Sequence, residues 1–238
     1  MKKRIWELDS FRGLCVLGMV AVHLVYDVVD LYRLIPWEYP PLFAFVKNWG
    51  GVLFLLISGI SATLGSRSVR RGLIVFGCGM VVTAVTVGMY LLKLAGAGII
   101  IYFGVLQCLG VCMILWGLLR KCPTWLLALL SAALIAAGLY LRGVHLVDFP
   151  WLVPLGFTFE GFASSDYFPL LPYLGFFLMG SVLGRTVYAK KQTLFPKVNP
   201  ENGLIRFLNF FGKHSLIIYM VHQPVLSGLV GLIAMLAT

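Results

Sequence analysis

Arg12, His23 and Asp27 are the residues whose types and spacing best suit chemistry. Arg12 and His23 lie eleven positions apart, close to three helical turns, so on a helix they share a face about 16 Å apart along the axis. Asp27 follows His23 by four residues, one turn further along the same stripe. A histidine acts as a general base when a neighbouring group fixes its tautomer, and Asp27 is spaced to do that and to stabilise an imidazolium. An arginine at the inner mouth of such a helix can pair with a phosphate or a carboxylate. The plainer alternative has Arg12 snorkelling to lipid headgroups while His23 and Asp27 bond to neighbouring helices.

Other polar residues stand in apolar surroundings. Gln107 falls in Gly104-Val105-Leu106-Gln107, and His222 in Tyr219-Met220-Val221-His222-Gln223-Pro224. Pro224 would kink its helix just after the histidine. Each polar group is either functional or interhelical glue. Ser58, Ser61, Gly180 and Gly184 suit helix packing, and Lys93 and His145 suit an interface. A segment from about Arg142 to Pro169 sets Asp148, Glu160 and Asp166 among Trp151, Phe157, Phe162, Tyr167 and Phe168. Such a mixture fits a sugar-binding wall or an interfacial aromatic belt. Cys15, Cys78, Cys108, Cys112 and Cys122 imply no disulfide framework. Cys108 and Cys112 share a helix face with no histidine or carboxylate beside them, so no metal set is expected.

The elements that must position these groups follow from composition. Hydrophobic residues make up 60% of the chain and charged residues 12%, against about a quarter charged in a soluble domain. Long apolar runs in hydrocarbon must satisfy their own backbone bonds, which favours helices, and the runs lack the alternation of a barrel strand. The pattern predicts seven spans near Phe11–Leu31, Leu42–Leu64, Gly72–Leu92, Ile99–Leu119, Trp125–Leu141, Leu170–Val187 and Ser215–Leu236. The expected fold is an all-α polytopic membrane bundle forming one domain over residues 1–238. Its first span is too long for a removable signal. All 19 Lys and Arg residues except Arg33, Lys47, Lys93 and Arg142 fall on one side of this topology. That bias puts the N-terminus in the cytoplasm and the C-terminus outside. The net charge of +10 then reflects topology and anionic lipid, and a nucleic-acid partner is excluded for want of a soluble basic face.

Glu7-Leu8-Asp9-Ser10-Phe11-Arg12-Gly13, with Met19 and His23, resembles the opening helix of membrane acyltransferases. The arginine, ten residues and histidine are similar to the acyltransferase-3 pattern. A closer resemblance is to bacterial relatives of heparan-alpha-glucosaminide N-acetyltransferase. It rests on that helix, Phe54 to Gly59, Gly104 to Gln107, Asp166 to Pro172, and Gly212 to His222. The resemblance implies acetyl transfer from cytosolic acetyl-CoA to a glycan or amino-sugar acceptor outside a bacterial plasma membrane. His23, whose role comes from the acyltransferase-3 pattern, would be base or transient acyl acceptor, with Asp27 beside it. Arg12 and Gln107 would meet the donor, while His222 and Asp166 would line the pocket or face the acceptor. A homo-oligomer is left open. The main rival is a small transporter with His23 and Asp27 as a proton relay, although no internal repeat supports it. A retinal-binding seven-helix protein would need a lysine in the last span, and none follows Lys213.

Overall fold

The computed structural model describes residues 4–141 and 150–237. Lys2, Lys3, Arg142, His145 and Asp148 lie outside them. The described residues form eight α-helices: α1 Trp6–Tyr26, α2 Pro41–Leu64, α3 Ser68–Leu91, α4 Val105–Leu119, α5 Thr124–Tyr140, α6 Leu170–Thr186, α7 Gly203–Lys213 and α8 Ser215–Ala237. A π-helical turn, Asp27–Leu31, extends α1. Among the described residues the only β pairing is an isolated bridge between Phe103 and Tyr167.

Four helical stretches are long and apolar enough to cross a membrane: Trp6–Leu31, Pro41–Leu64, Ser68–Leu91 and Ser215–Leu236. Helices α4, α5 and α6 are apolar but hold 15 to 17 residues, about 25 Å at most against a hydrocarbon core of about 30 Å. Large apolar side chains stand exposed on the long helices, Leu53, Leu73, Val85, Ile217 and Ile233 among them. That is the distribution of a chain whose solvent is lipid, and the protein is an integral membrane protein.

The chain clusters into two compact units, residues 1–54 with 192–238 and residues 55–191, the division falling inside α2. In the first unit α1 packs against α7 and α8. A Cβ on Gly13 would stand 2.0 Å from the carbonyl oxygen of Leu208, and one on Gly212 would stand 1.9 Å from that of Asp9. Only glycine lets the two backbones approach this closely. Ser10 donates to Asn209 at 3.0 Å inside the same contact. Asn202 starts α7 by accepting from the Leu204 amide at 3.0 Å, an ordinary asparagine N-cap.

In the second unit α3 packs on α4 and α5 on α6. Ser131 donates to the Gly175 carbonyl at 2.8 Å between α5 and α6, and Trp116 donates to the Ala62 carbonyl at 3.2 Å. Helix α4 starts at Val105, not near Ile99 as its apolarity suggests. Residues Ala97–Ile99 make a 3-10 turn, and the Phe103 carbonyl is taken by the Phe168 amide at 2.9 Å. Helix α7 is the other departure, a short amphipathic element where basic residues alone had been read.

Candidate functional site

The polar stripe of α1 is built as its spacing dictates, and its first member is held by a neighbour one turn back. Arg12 donates to Asp9 at 2.8 Å, and the same carboxylate lies 3.6 Å from Arg4. Asp9 is buried against α7, so Arg12 is fixed at the end of the helix where its charge is compensated.

His23 lies three turns further and meets His222 of α8 edge to face, with ring centroids 4.8 Å apart and planes at 78°. Each ring is anchored by its Nδ1. His23 Nδ1 donates to the Met19 carbonyl at 2.9 Å, and His222 Nδ1 donates to the Tyr219 carbonyl at 2.7 Å. A carbonyl can only accept, so both rings carry the proton on Nδ1 and leave Nε2 as the lone-pair nitrogen. Among the described residues Nε2 of His222 is buried without a hydrogen-bond partner, as is Oε1 of the adjacent Gln223. Both atoms are acceptors suited to a group that brings N–H or O–H.

Asp27 is fully buried, but the tautomer of His23 is set by Met19, contrary to the expectation that Asp27 would do so. Oδ1 of Asp27 accepts from Gln223 at 2.8 Å and Oδ2 accepts from Ser227 at 3.0 Å. Gln223 also donates to Ser227 at 3.0 Å. Asp27 stays in α-helical register, its amide bonded to the His23 carbonyl; the wider turn begins after it, where the carbonyl of Asp27 takes the amide of Tyr32 at 2.9 Å, five residues on. Asp27 therefore ties α1 to the helix that carries His222. Sequence reasoning missed Gln223 and Ser227, although two polar residues four apart in an apolar span are the signal of such a partner.

Gln107 and Asp166 are brought together elsewhere, on the first turn of α4 in the second unit. Gln107 Nε2 donates to the Gly79 carbonyl at 2.9 Å and to Thr83 Oγ1 at 2.7 Å. Its Oε1 accepts from Gly104 at 3.0 Å. Asp166 Oδ2 accepts from the Val105 amide at 3.1 Å, where a carboxylate also suits the positive end of the helix dipole. Both side chains thus anchor the start of α4.

A cleft of about 430 Å³ in the first unit was not anticipated. It is lined by Arg4, Asp9, Glu201, Arg206, Lys213 and His214 together with Trp6, Pro200, Asn209 and Phe210, and Arg206 lies 3.9 Å from the Glu201 carboxylate. Cations beside aromatic rings suit an anionic ligand with a flat group, such as a nucleotide. Arg206 and Lys213 count towards the positive-inside bias, and the amphipathic pattern of α7 is the signal that groups them on one face.

Neither a curated protein nor a solved structure matches the chain. The sequence model of the family described as heparan-alpha-glucosaminide N-acetyltransferase, catalytic, matches residues 4–224. That span holds Arg12, His23, Asp27, Gln107, Asp166 and His222 alike. It also takes in α1 and the part of α8 that bears the histidine. The chain belongs to the heparan-alpha-glucosaminide N-acetyltransferase catalytic family, a family of transferases.

Proposed function

We propose that the protein moves an acetyl group from acetyl-CoA on the cytosolic side to a glycan or amino-sugar acceptor on the other face of the membrane. The observation that carries this reading is the His23–His222 pair, with two anchored rings in one unit and an unpartnered buried Nε2. The phosphates of the donor are assigned to the cleft of Arg4, Arg206 and Lys213, behind which Asp9 holds Arg12. The thioester end would run along α1 towards His23.

Nε2 of His23 then takes the proton of the acceptor N–H or O–H as that group attacks the thioester carbonyl. The new C–N or C–O bond forms, the C–S bond breaks, and CoA leaves as the thiol after reprotonation. The alternative order uses the same atoms, with Nε2 attacking first and the acceptor displacing the acetyl group from it. In this reading His222 accepts a hydrogen bond from the incoming group, and Asp27 holds α8 in place. Gln107 and Asp166 serve as supports of the start of α4. Crossings by α4, α5 and α6 as well as the four long spans would give seven, with the N-terminus in the cytoplasm, in a bacterial plasma membrane.

Purified protein in nanodiscs, given acetyl-labelled CoA and glucosamine oligomers, tests the assignment. His23→Ala should lower acetyl transfer at least a hundredfold, the scale of a lost general base. Transfer at the wild-type rate by that variant would remove His23 from the mechanism. A proton-coupled transporter is the second reading, favoured by the buried Asp27 among polar side chains. Proton-driven sugar flux without acetyl transfer would select it.

A further inference from the structure

We infer that Glu7 is a positioning residue for the donor cleft: it hangs the segment 192–202 on the start of α1, and that segment forms one wall of the cleft. Glu7 itself lines no part of the cleft, and its role rests on the reading that seats acetyl-CoA there. It stands in the first turn of α1 and is only 2% exposed. A buried carboxylate is costly unless its oxygens are bonded, and here both are. Oε1 accepts from the Leu194 amide at 2.8 Å, and Oε2 accepts from the Thr193 hydroxyl at 2.9 Å.

The segment carries no helix of its own and takes its shape from short turns. Thr193 Oγ1 accepts from the Phe195 amide at 3.1 Å, and the Phe195 carbonyl accepts from the Val198 amide at 3.1 Å. Asn199 Oδ1 accepts from the Glu201 amide at 2.9 Å, and Asn202 then caps α7. Trp6, beside Glu7, packs on Phe195 with ring centroids 6.3 Å apart. The far end of the segment brings Pro200 and Glu201 to the cleft that Trp6 also lines, with Glu201 3.9 Å from Arg206. A tie at one end of a run of tight turns thus sets the wall at the other.

The helix dipole alone would favour an acidic residue in the first turn. A dipole role, however, needs neither burial nor bonds to residues 186 and 187 positions along the chain. Glu7 lies sixteen residues before His23, about 24 Å along a helix. Its loss should therefore reach donor binding and leave the acetyl transfer step alone.

The test uses the full chain in nanodiscs, with CoA binding measured by titration calorimetry and acetyl transfer to glucosamine oligomers measured at steady state. Glu7→Leu and Thr193→Val should each weaken CoA binding about fivefold or more, a part of what one bond to a charged group contributes. KM for acetyl-CoA should rise with it while kcat holds. Glu7→Gln keeps a carbonyl oxygen for the Leu194 amide and should fall between the wild type and Glu7→Leu. Thr193→Val leaves α1 intact, so it answers even where Glu7→Leu fails to fold. In the double variant Thr193→Val should add nothing to Glu7→Leu, because both cut the same tie, whereas independent losses would add. CoA affinity unchanged in Thr193→Val, or a loss that falls on kcat alone, overturns the inference and leaves the donor reading standing. A wild type that binds no CoA sinks the donor reading and the inference with it.

Discussion

Each polar residue inside α1 has a partner that fixes it, and the partners differ from those its spacing suggests. Eleven- and four-residue intervals place Arg12, His23 and Asp27 on one stripe, which was legible because helical periodicity is rigid. The hydrogen bonds of Asp27 were not legible, since its partners come from α8, far along the chain. Two predictions belong here. His222→Phe keeps the ring and removes Nε2, so it should lower transfer at least tenfold while the purified protein keeps its helical circular dichroism. Asp27→Leu orphans the donors of Gln223 and Ser227, each at a cost of about 1–3 kcal/mol. It should lower the midpoint of thermal unfolding in detergent more than Asp27→Asn does.

Two contacts decide whether the elements can hold these residues in place. The α1–α7 contact depends on Gly13 and Gly212, whose backbones leave no room for a methyl group. Gly212→Ala should destabilise by about 1–3 kcal/mol, the usual cost of overpacking, and should loosen Arg12 because Asp9 lies under that glycine. A thermal melt reads the first effect, and a raised KM for acetyl-CoA at little-changed kcat reads the second. In the second unit, Gln107→Leu leaves the Gly104 amide without its bond and removes the link to the Gly79 carbonyl, which keeps its own helical bond inside α3. Again the expected loss is about 1–3 kcal/mol for the orphaned amide, seen as lowered thermal stability without a change in acceptor preference. The sequence marked Gln107 as unusual but not as a lock, because Gly79 and Thr83 become its neighbours only once α3 and α4 pack. Helix α7 was hidden for a different reason: its 11 residues are too few to give the apolar run of a membrane span.

For the molecule as a whole, composition was the most informative feature. An apolar chain with few charges has little choice but helices in a bilayer, and the eight helices bear that out. Which helices cross was less legible, since α4, α5 and α6 fall short of the full hydrocarbon thickness. The positive-inside bias predicts the sidedness directly. A protease site or impermeant label introduced beside Glu38 should be reached from outside intact cells, and one beside Lys197 only after the membrane is opened. The most direct test of the whole account puts donor and acceptor on opposite sides of a sealed membrane. Proteoliposomes with uniformly oriented protein would hold labelled acetyl-CoA on the face of Arg4 and Lys213 and a glucosamine oligomer on the face of Asp30 and Arg33. Acetylated sugar is predicted in the acceptor compartment, lost in His23→Ala. Product formed only when both substrates share one compartment, or formed equally well by His23→Ala, would contradict it.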